Sequence, residues 1–174
     1  MENDLIPSIP TQSASQAFIG LGSNLDNPLF QIRRAISLLT ELPDSRLIRQ
    51  SSLYRSAAMG AVDQPDFINA VVHIETMLMP RVLLMALLEI ERRCGRIRTY
   101  PNAPRTLDLD LLLYDDLQCH EEGLVLPHPR LHERAFVLQP LMEIERGCKI
   151  PGQGLVSELL VACTQQRLEY ISSS

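Results

Sequence analysis

The chain has 174 residues, 45% of them hydrophobic, which is enough to bury one good core and too few for two ordinary domains joined by a linker. Its formal net charge of -5 argues against a general nucleic-acid or membrane-surface binder, because such proteins need a positive field over a large face. Its four cysteines are far apart and form no CxxC pair, which argues against zinc and redox motifs and fits a reducing compartment.

The N-terminal segment differs in composition from the rest of the chain. Residues 1–16 are rich in Ser, Pro and Gln, so we expect a disordered tail there and a single domain over residues 17–174. The segment lacks the basic start and apolar run of a signal peptide, and no apolar run reaches the length of a membrane span. We expect a cytoplasmic monomer that acts on small molecules.

Apolar periodicity and turn signals predict strands and helices in an order typical of one fold class. In chain order these are a strand at 17–21, a helix from Pro28 towards Pro43, strands at 46–56 and 67–78, a helix from Pro80 to Gly95, and a strand at 106–114. This β-α-β-β-α-β order is that of a ferredoxin-like α+β core, with two helices on one face of an antiparallel sheet. Helix-like stretches at 133–144 and 155–165 are expected to cover the other face, which gives three α/β/α layers.

The last strand of this core, 106–114, contains two carboxylates at alternate positions. Because strand side chains alternate faces, Asp108 and Asp110 are expected on one face with Cα atoms roughly 7 Å apart, while the odd-numbered leucines from Leu107 to Leu113 point into the core. Such a pair suits one or two Mg²⁺ ions, which prefer hard oxygen ligands. An amphipathic strand with a solvated acidic face is the alternative, and spacing alone favours it for an isolated pair.

Arginines are concentrated just before this strand, in a chain that is acidic overall and has one lysine. They are Arg92, Arg93, Arg96, Arg98 and Arg105. Guanidinium groups suit phosphate oxygens, and phosphoryl transfer depends on positioning and charge stabilisation by such groups and by metal ions. Each arginine alone fits surface charge equally well, but with Asp108 and Asp110 they predict a Mg²⁺-dependent phosphotransferase.

Other candidate groups are less specific. No GxxxxGK[ST] sequence occurs, which excludes a Walker-type site, and Gly20 and Gly22 are expected to permit a tight turn rather than to cradle a phosphate. His128 lies between two prolines and is a reasonable hydrogen-bond donor to a nucleotide, whereas His73 is expected to be structural. No cysteine or serine has a clear base partner, so covalent catalysis is unsupported.

Several motifs occur together and in a fixed order. They lie at 19–25 (IGLGSNL), 64–70 (QPDFINA), 90–91 (IE), 95–98 (GRIR), 104–111 (PRTLDLDL), 127–128 (PH) and 134–141 (RAFVLQPL). Over about residues 17–151 the chain thereby resembles one family, the 6-hydroxymethyl-7,8-dihydropterin pyrophosphokinases of folate biosynthesis. A lone DxD is a weak signal, but this ordered set is a strong one.

The resemblance implies transfer of a pyrophosphoryl group from ATP to the hydroxymethyl oxygen of a reduced pterin, with release of AMP and with two Mg²⁺ ions held by Asp108 and Asp110. It also implies a pocket where an amide binds the pterin's edge and aromatic rings stack on its faces. The pocket residues are Ser56, Ala57, Met59, Phe67, Asn69 and Phe136. Without the resemblance, both phenylalanines would be assigned to the core.

On the nucleotide side, the resemblance implies that four arginines contact phosphates and that three further residues lie near the nucleoside or its first phosphate. The arginines are Arg96, Arg98, Arg105 and Arg134, and the others are Glu91, Leu111 and His128. Arg96 and Arg105 are expected to form the catalytic group with the two aspartates. No residue is nominated as a general base.

Two segments depart from the family's usual pattern. The family has Arg-Trp-Gly-Pro-Arg before its DxD, whereas residues 101–105 are PNAPR, so a lid lacking its aromatic side chain is expected to exclude water less well. Ala57 and Ala58 stand where prolines are common, which should leave the pterin loop more flexible.

Two other functions would explain part of this pattern. A different two-metal enzyme, such as a nucleotidyltransferase, also uses carboxylates on a strand, but it does not account for Asn69 with its neighbours Pro65 and Phe67. A non-catalytic ferredoxin-like module that binds RNA would require stacking aromatics within basic charge, and aromatic residues make up only 5% of the chain.

Overall fold

A computed structural model describes residues 13–58, 64–97 and 103–171. The strands of this part are β1 (Ser15–Ser23), β2 (Ser45–Gln50), β3 (Leu53–Ser56), β4 (Phe67–Thr76), β5 (Asp108–Tyr114), β6 (Cys119–Glu121), β7 (Leu124–Leu126), β8 (Lys149–Ile150), β9 (Gly154–Leu155) and β10 (Leu168–Ile171). The helices are α1 (Pro28–Thr40), α2 (Pro80–Arg93), α3 (Ala135–Ile144) and α4 (Val156–Val161), with a 3-10 turn at Leu131–Glu133 before α3. No helix in these ranges is long and apolar enough to cross a membrane.

The centre of the fold is an antiparallel sheet with strand order β10-β3-β4-β1-β5, in which β2 also pairs with β4. The predicted α+β class is confirmed, and this order is consistent with a ferredoxin-like core. Helices α1 and α2 pack on one face, where Ile32 and Leu87 are fully buried, and α3 and α4 pack on the other, where Leu138 and Val156 are fully buried. The three predicted layers are therefore present.

Both core helices begin where their sequences predict, with a proline in the first turn. Before α1, the Asn27 side chain accepts a hydrogen bond from the Phe30 N–H, and Pro28 needs no partner for its nitrogen. The first strand begins two residues earlier than predicted, since Ser15 and Gln16 pair with β4. Residues 15 and 16, which were expected in the tail, are therefore part of the sheet, and residues 1–12 lie outside the described part.

The predicted strand at 46–56 is two strands that pair with different parts of β4. At the break, the Ser51 N–H donates to the Val71 carbonyl at 2.9 Å, and the Ser51 hydroxyl accepts from the Val71 N–H at 2.9 Å. The hydroxyl thus replaces the carbonyl that a regular ladder would use, and the chain bends before it continues as β3.

The C-terminal region contains elements that the apolar pattern does not predict. Strand β10 pairs with β3 and forms one edge of the sheet, and α4 ends at Val161, before the predicted end at residue 165. A four-residue strand at an edge carries little periodic signal, because its partner lies more than one hundred residues away in the sequence.

Candidate functional site

The two aspartates of β5 lie on one face of the sheet, opposite two glycines of β1. In the register of the pair, Asp110 faces Gly20 and Asp108 faces Gly22. A Cβ atom on Gly22 would lie 3.5 Å from the Asn69 Oδ1 atom, so the missing side chain leaves space beside the carboxylates. Both glycines lie inside β1, so the expected tight turn is wrong; they keep the floor of a cavity open instead.

The alternation of β5 is interrupted near its end. Leu107, Leu109 and Leu111 pack with α1 and α2 as predicted, whereas Leu113 packs with α3. A β-bulge causes this, because Phe18 is paired with Leu113 and the next residue of β1 with Leu111, which leaves an extra residue on β5. Leu113 is therefore in the core, as predicted, but on the opposite face of the sheet from the other three leucines, while Asp108 and Asp110, before the bulge, keep the predicted common face.

Two cavities meet at these carboxylates. One has a volume of about 410 Å³ and lies over β1, β3 and β4; the other has a volume of about 750 Å³ and lies between α2, β5 and β7. Four residues line both cavities: Arg105, Asp108, Asp110 and Arg134. Ligands in the two cavities would thus reach the same pair of carboxylates.

The smaller cavity brings together most of the residues assigned to the pterin. Those in its lining are Ser56, Ala57, Phe67, Asn69 and Phe136, while Met59 lies outside the described residues. Asn69 is 3% exposed, and its side-chain N–H donates to the Ser56 hydroxyl at 2.9 Å, which fixes the orientation of the amide. Each phenylalanine has an arginine beside its ring, with the guanidinium carbon 5.6 Å from the ring centre, Arg105 at Phe67 and Arg134 at Phe136.

The larger cavity brings together the residues assigned to ATP. Its lining includes Glu91, Arg96, Arg105, Leu111, His128 and Arg134, while Arg98 lies outside the described residues. Glu91 is almost fully buried, and its carboxylate accepts hydrogen bonds from the Leu109 N–H at 2.8 Å and from Arg96. Glu91 therefore joins α2 to β5 and holds the guanidinium of Arg96 at the cavity.

The two carboxylates differ in their surroundings. Both oxygens of Asp108 accept hydrogen bonds from guanidiniums, one from Arg96 and the other from Arg105 at 2.6 Å. Asp110 has more distant partners, with the guanidinium of Arg134 and the imidazole of His128 each 3.8 Å from its Oδ2 atom. Burial and then the charge of Asp108 raise the pKa of Asp110, and burial lowers the pKa of His128.

This donor set fits a divalent metal ion. A half-buried carboxylate whose pKa is raised by burial and then by a second carboxylate is stabilised by a cation between the two, and carboxylate oxygens are the ligands that Mg²⁺ prefers. Among residues 13–58, 64–97 and 103–171, no group of three or more His, Cys, Asp or Glu could hold a metal. Asp108 and Asp110 would therefore need oxygens from substrate phosphates and water to complete a coordination shell.

Some residues that line the cavities are not among those predicted from the sequence. Gln64 and Arg130 line the smaller cavity, and Leu84 and Leu88 line the larger one. Gln64 stands inside one of the motifs and Arg130 two residues after His128, so position offered a signal for both. The leucines of α2 carry no such signal, because helical periodicity does not distinguish a cavity wall from the core.

A carboxylate pair between two cavities on an antiparallel α+β fold suits a two-substrate transferase, in which donor and acceptor meet at one point. Comparison with protein families matches residues 18–146 to the family described as 7,8-dihydro-6-hydroxymethylpterin-pyrophosphokinase. The chain belongs to this family, and the resemblance found in the sequence is confirmed.

Similar proteins agree with this assignment. The chain is 42% identical over 144 residues to the 2-amino-4-hydroxy-6-hydroxymethyldihydropteridine pyrophosphokinase of Haemophilus influenzae, covering 83% of this chain and 90% of that protein. It is 40% identical over 154 residues to the protein of the same name from Pseudomonas aeruginosa, covering 88% and 95%. Among solved structures, wild-type Plasmodium falciparum HPPK-DHPS has a TM-score of 0.67 at 14% identity, covering 85% of this chain but only 44% of that chain. At this identity the likeness supports the fold alone.

Proposed function

We propose that this chain transfers a pyrophosphoryl group from ATP to the hydroxymethyl oxygen of 6-hydroxymethyl-7,8-dihydropterin, giving AMP and the pterin diphosphate on the way to tetrahydrofolate. One observation carries the proposal: Asp108 and Asp110 form the common border of two cavities, one with aromatic and amide walls and the other rich in arginine. A transferase needs its donor and acceptor to meet at the reacting atoms, and this arrangement provides such a meeting point.

The smaller cavity has the chemistry to hold a pterin. Phe67 and Phe136 supply flat apolar faces, and the Asn69 amide supplies an edge with both a donor and an acceptor. Because the Asn69 side chain is held by Ser56 before any ligand arrives, its ordering costs little when the ring binds. A ring seated there would place its substituent towards the carboxylates at the cavity border.

The larger cavity has the chemistry to hold the phosphates of ATP. Arg96, Arg105 and Arg134 line it, and their guanidinium groups suit phosphate oxygens. Asp108 and Asp110 are the proposed ligands of two Mg²⁺ ions, which when bound would neutralise charge on the phosphates and orient them. The guanidiniums would stabilise the charge that remains on the group in transfer.

The decisive assay supplies ATP, Mg²⁺ and the hydroxymethyl-dihydropterin and measures AMP by chromatography. The wild-type chain should form AMP only when the pterin is present, and Asp110→Asn should lower the rate on the order of 100-fold or more, the scale of losing one electrostatic group at a reaction centre. Asp116→Asn is the matched control, because this carboxylate is exposed in the turn after β5 and lines neither cavity. ADP as the product, or AMP formation without the pterin, would refute the proposal.

The expected cytoplasmic monomer also remains part of the proposal. Light scattering on the eluate of a sizing column, at the protein concentration of the assay, should give the mass of one chain. A stable dimer would correct this part without affecting the proposed reaction.

A further inference from the structure

The hydroxyl of Tyr54 connects α3 to the sheet, and each of the two carries a wall of the smaller cavity, which Tyr54 itself does not line. Tyr54 lies on β3, is 8% exposed and is absent from the lining of both cavities. Its hydroxyl donates to the Glu143 carboxylate at 2.8 Å. Because Glu143 lies in the last turn of α3, this contact ties that helix to the strand.

The two partners of this contact belong to elements that carry different walls of the cavity. The first turn of α3 carries Phe136, and Arg134 is the residue that precedes the helix. On the other side, Tyr54 is paired with Asn69 in the sheet register, and its carbonyl accepts from the Asn69 side chain at 3.4 Å. The phenol therefore links the helix that carries one aromatic wall to the strand position that orients the amide wall.

Glu143 reinforces the same contact through the bend before β3. Its carboxylate also accepts from the Ser52 hydroxyl at 2.7 Å and from the Ser52 N–H at 3.0 Å. Burial and Glu143 raise the pKa of Tyr54 to about 12, so the phenol remains a donor across the physiological pH range. A separate hydrogen bond from Arg49 to the Ile144 carbonyl, at 2.7 Å, keeps the end of α3 on the sheet when the phenol contact is removed.

We propose that the Tyr54–Glu143 pair is a positioning element of the acceptor pocket: it sets the spacing between Phe136 and Asn69 and so determines affinity for the pterin without touching it. The inference rests on the proposed function, because it assigns the smaller cavity to the pterin. The larger cavity depends less on this contact, since its walls come mainly from α2, β5, β7 and the segment around His128, and Arg134 is the residue next to α3 that borders it. The pair should therefore affect the pterin more than ATP.

The test compares Tyr54→Phe with Tyr114→Phe. Tyr114 is also 8% exposed, its hydroxyl also donates a 2.8 Å hydrogen bond, to the Leu78 carbonyl, and it lines neither of the two cavities, so both variants lose one buried phenol contact. Tyr54→Phe should raise the KM for the pterin about fivefold, the factor that corresponds to one hydrogen bond of ordinary strength, with the KM for ATP and kcat within about twofold. Tyr114→Phe should leave all three constants unchanged at a similar loss of thermal stability.

Two further measurements separate positioning from general loosening. Glu143→Ala, which removes the phenol contact together with the two contacts to Ser52, should raise the pterin KM at least as much as Tyr54→Phe, and adding Tyr54→Phe to it should change little, because the phenol contact is already lost. Amide hydrogen exchange should be faster at Phe136 and Asn69 in Tyr54→Phe than in Tyr114→Phe. An unchanged pterin KM, or equal shifts in both KM values, overturns the inference alone, whereas a wild-type chain without pterin-dependent AMP formation overturns the proposed function and this inference together.

Discussion

Replacing Gly22 by alanine should leave the fold stable and weaken the binding of the pterin that is proposed for the smaller cavity. An added Cβ at this position would lie 3.5 Å from the Asn69 Oδ1 atom, 3.8 Å from the Phe67 ring and 4.0 Å from the Asp108 Cβ, which are ordinary contact distances. Gly22 does not have a positive φ, so an L side chain fits the backbone. Because glycine weakens a strand interior through its greater freedom in the unfolded chain, Gly22→Ala should raise the free energy of unfolding by about 0.5 to 1 kcal/mol.

The same methyl group occupies space between three residues that line the smaller cavity. An extra methyl or methylene in a packed site costs about 1 to 3 kcal/mol, so the KM for the pterin should rise about tenfold or more. The KM for ATP should be unchanged, since Gly22 does not line the larger cavity.

Urea titration and steady-state kinetics measure the two effects of Gly22→Ala separately. Gly147→Ala is the control, because an added Cβ there meets no atom within 4 Å and its φ is not positive. A loss of more than about 1 kcal/mol of stability in Gly22→Ala would refute the contact argument. A pterin KM equal to that of the Gly147 variant would refute the assignment of the cavity floor.

Three further predictions concern charge and metal. Burial raises the pKa of Asp110, so its charge lowers the stability of the fold once the pH exceeds that pKa. Asp110→Asn should therefore raise the free energy of unfolding at pH 7, by no more than about 1 kcal/mol because 34% of the side chain is exposed. A clear loss of stability in urea titration would contradict this. Burial lowers the pKa of His73, so the free energy of unfolding should fall as the pH drops below about 6.5, the pKa of histidine in the unfolded chain. Thermal melts of His73→Phe, which keeps the stack on Phe18, should show a smaller fall, and the remainder is due to His128, whose pKa burial also lowers. Calorimetry should show Mg²⁺ binding more tightly when a non-hydrolysable ATP analogue is present, and equal affinity without it would contradict the link between metal and nucleotide.

Much of this fold is predictable because its signals are local. The prolines at the starts of α1 and α2, and the alternation of leucine and aspartate in β5, depend on neighbouring residues alone. The bulge that turns Leu113 to the other face depends on the pairing of β5 with β1, a contact between distant parts of the sequence. The same is true of Ser51, whose hydroxyl interrupts a strand only because Val71 lies opposite.

The site residues likewise fall into those that local sequence predicts and those that depend on contacts between distant parts of the chain. The carboxylate pair and the neighbouring arginines follow from composition and spacing, but the residues that place them do not. Glu91 resembles one more charge on an amphipathic helix until the structure shows it bound to the Leu109 N–H and to Arg96. Gly20 and Gly22 suggest a turn, because the space that a missing side chain leaves is visible only when the opposite strands are known.

The surroundings of Asp108 explain why metal and nucleotide should bind together. Arg96 and Arg105 each donate to one of its oxygens in this structure, so a metal ion at Asp108 would lie beside two guanidiniums whose positive charge opposes its binding. Moving a guanidinium from the carboxylate would leave poorly compensated charges in a partly buried site, which also opposes the binding of metal alone. In the proposed complex the phosphates of ATP would remove that cost, since they would offer the guanidiniums oxygen partners in the adjoining cavity while the metal binds the carboxylate. On this proposal the arginines and the metal would compete for Asp108 without nucleotide and cooperate with it, which would link metal binding to the presence of the donor substrate.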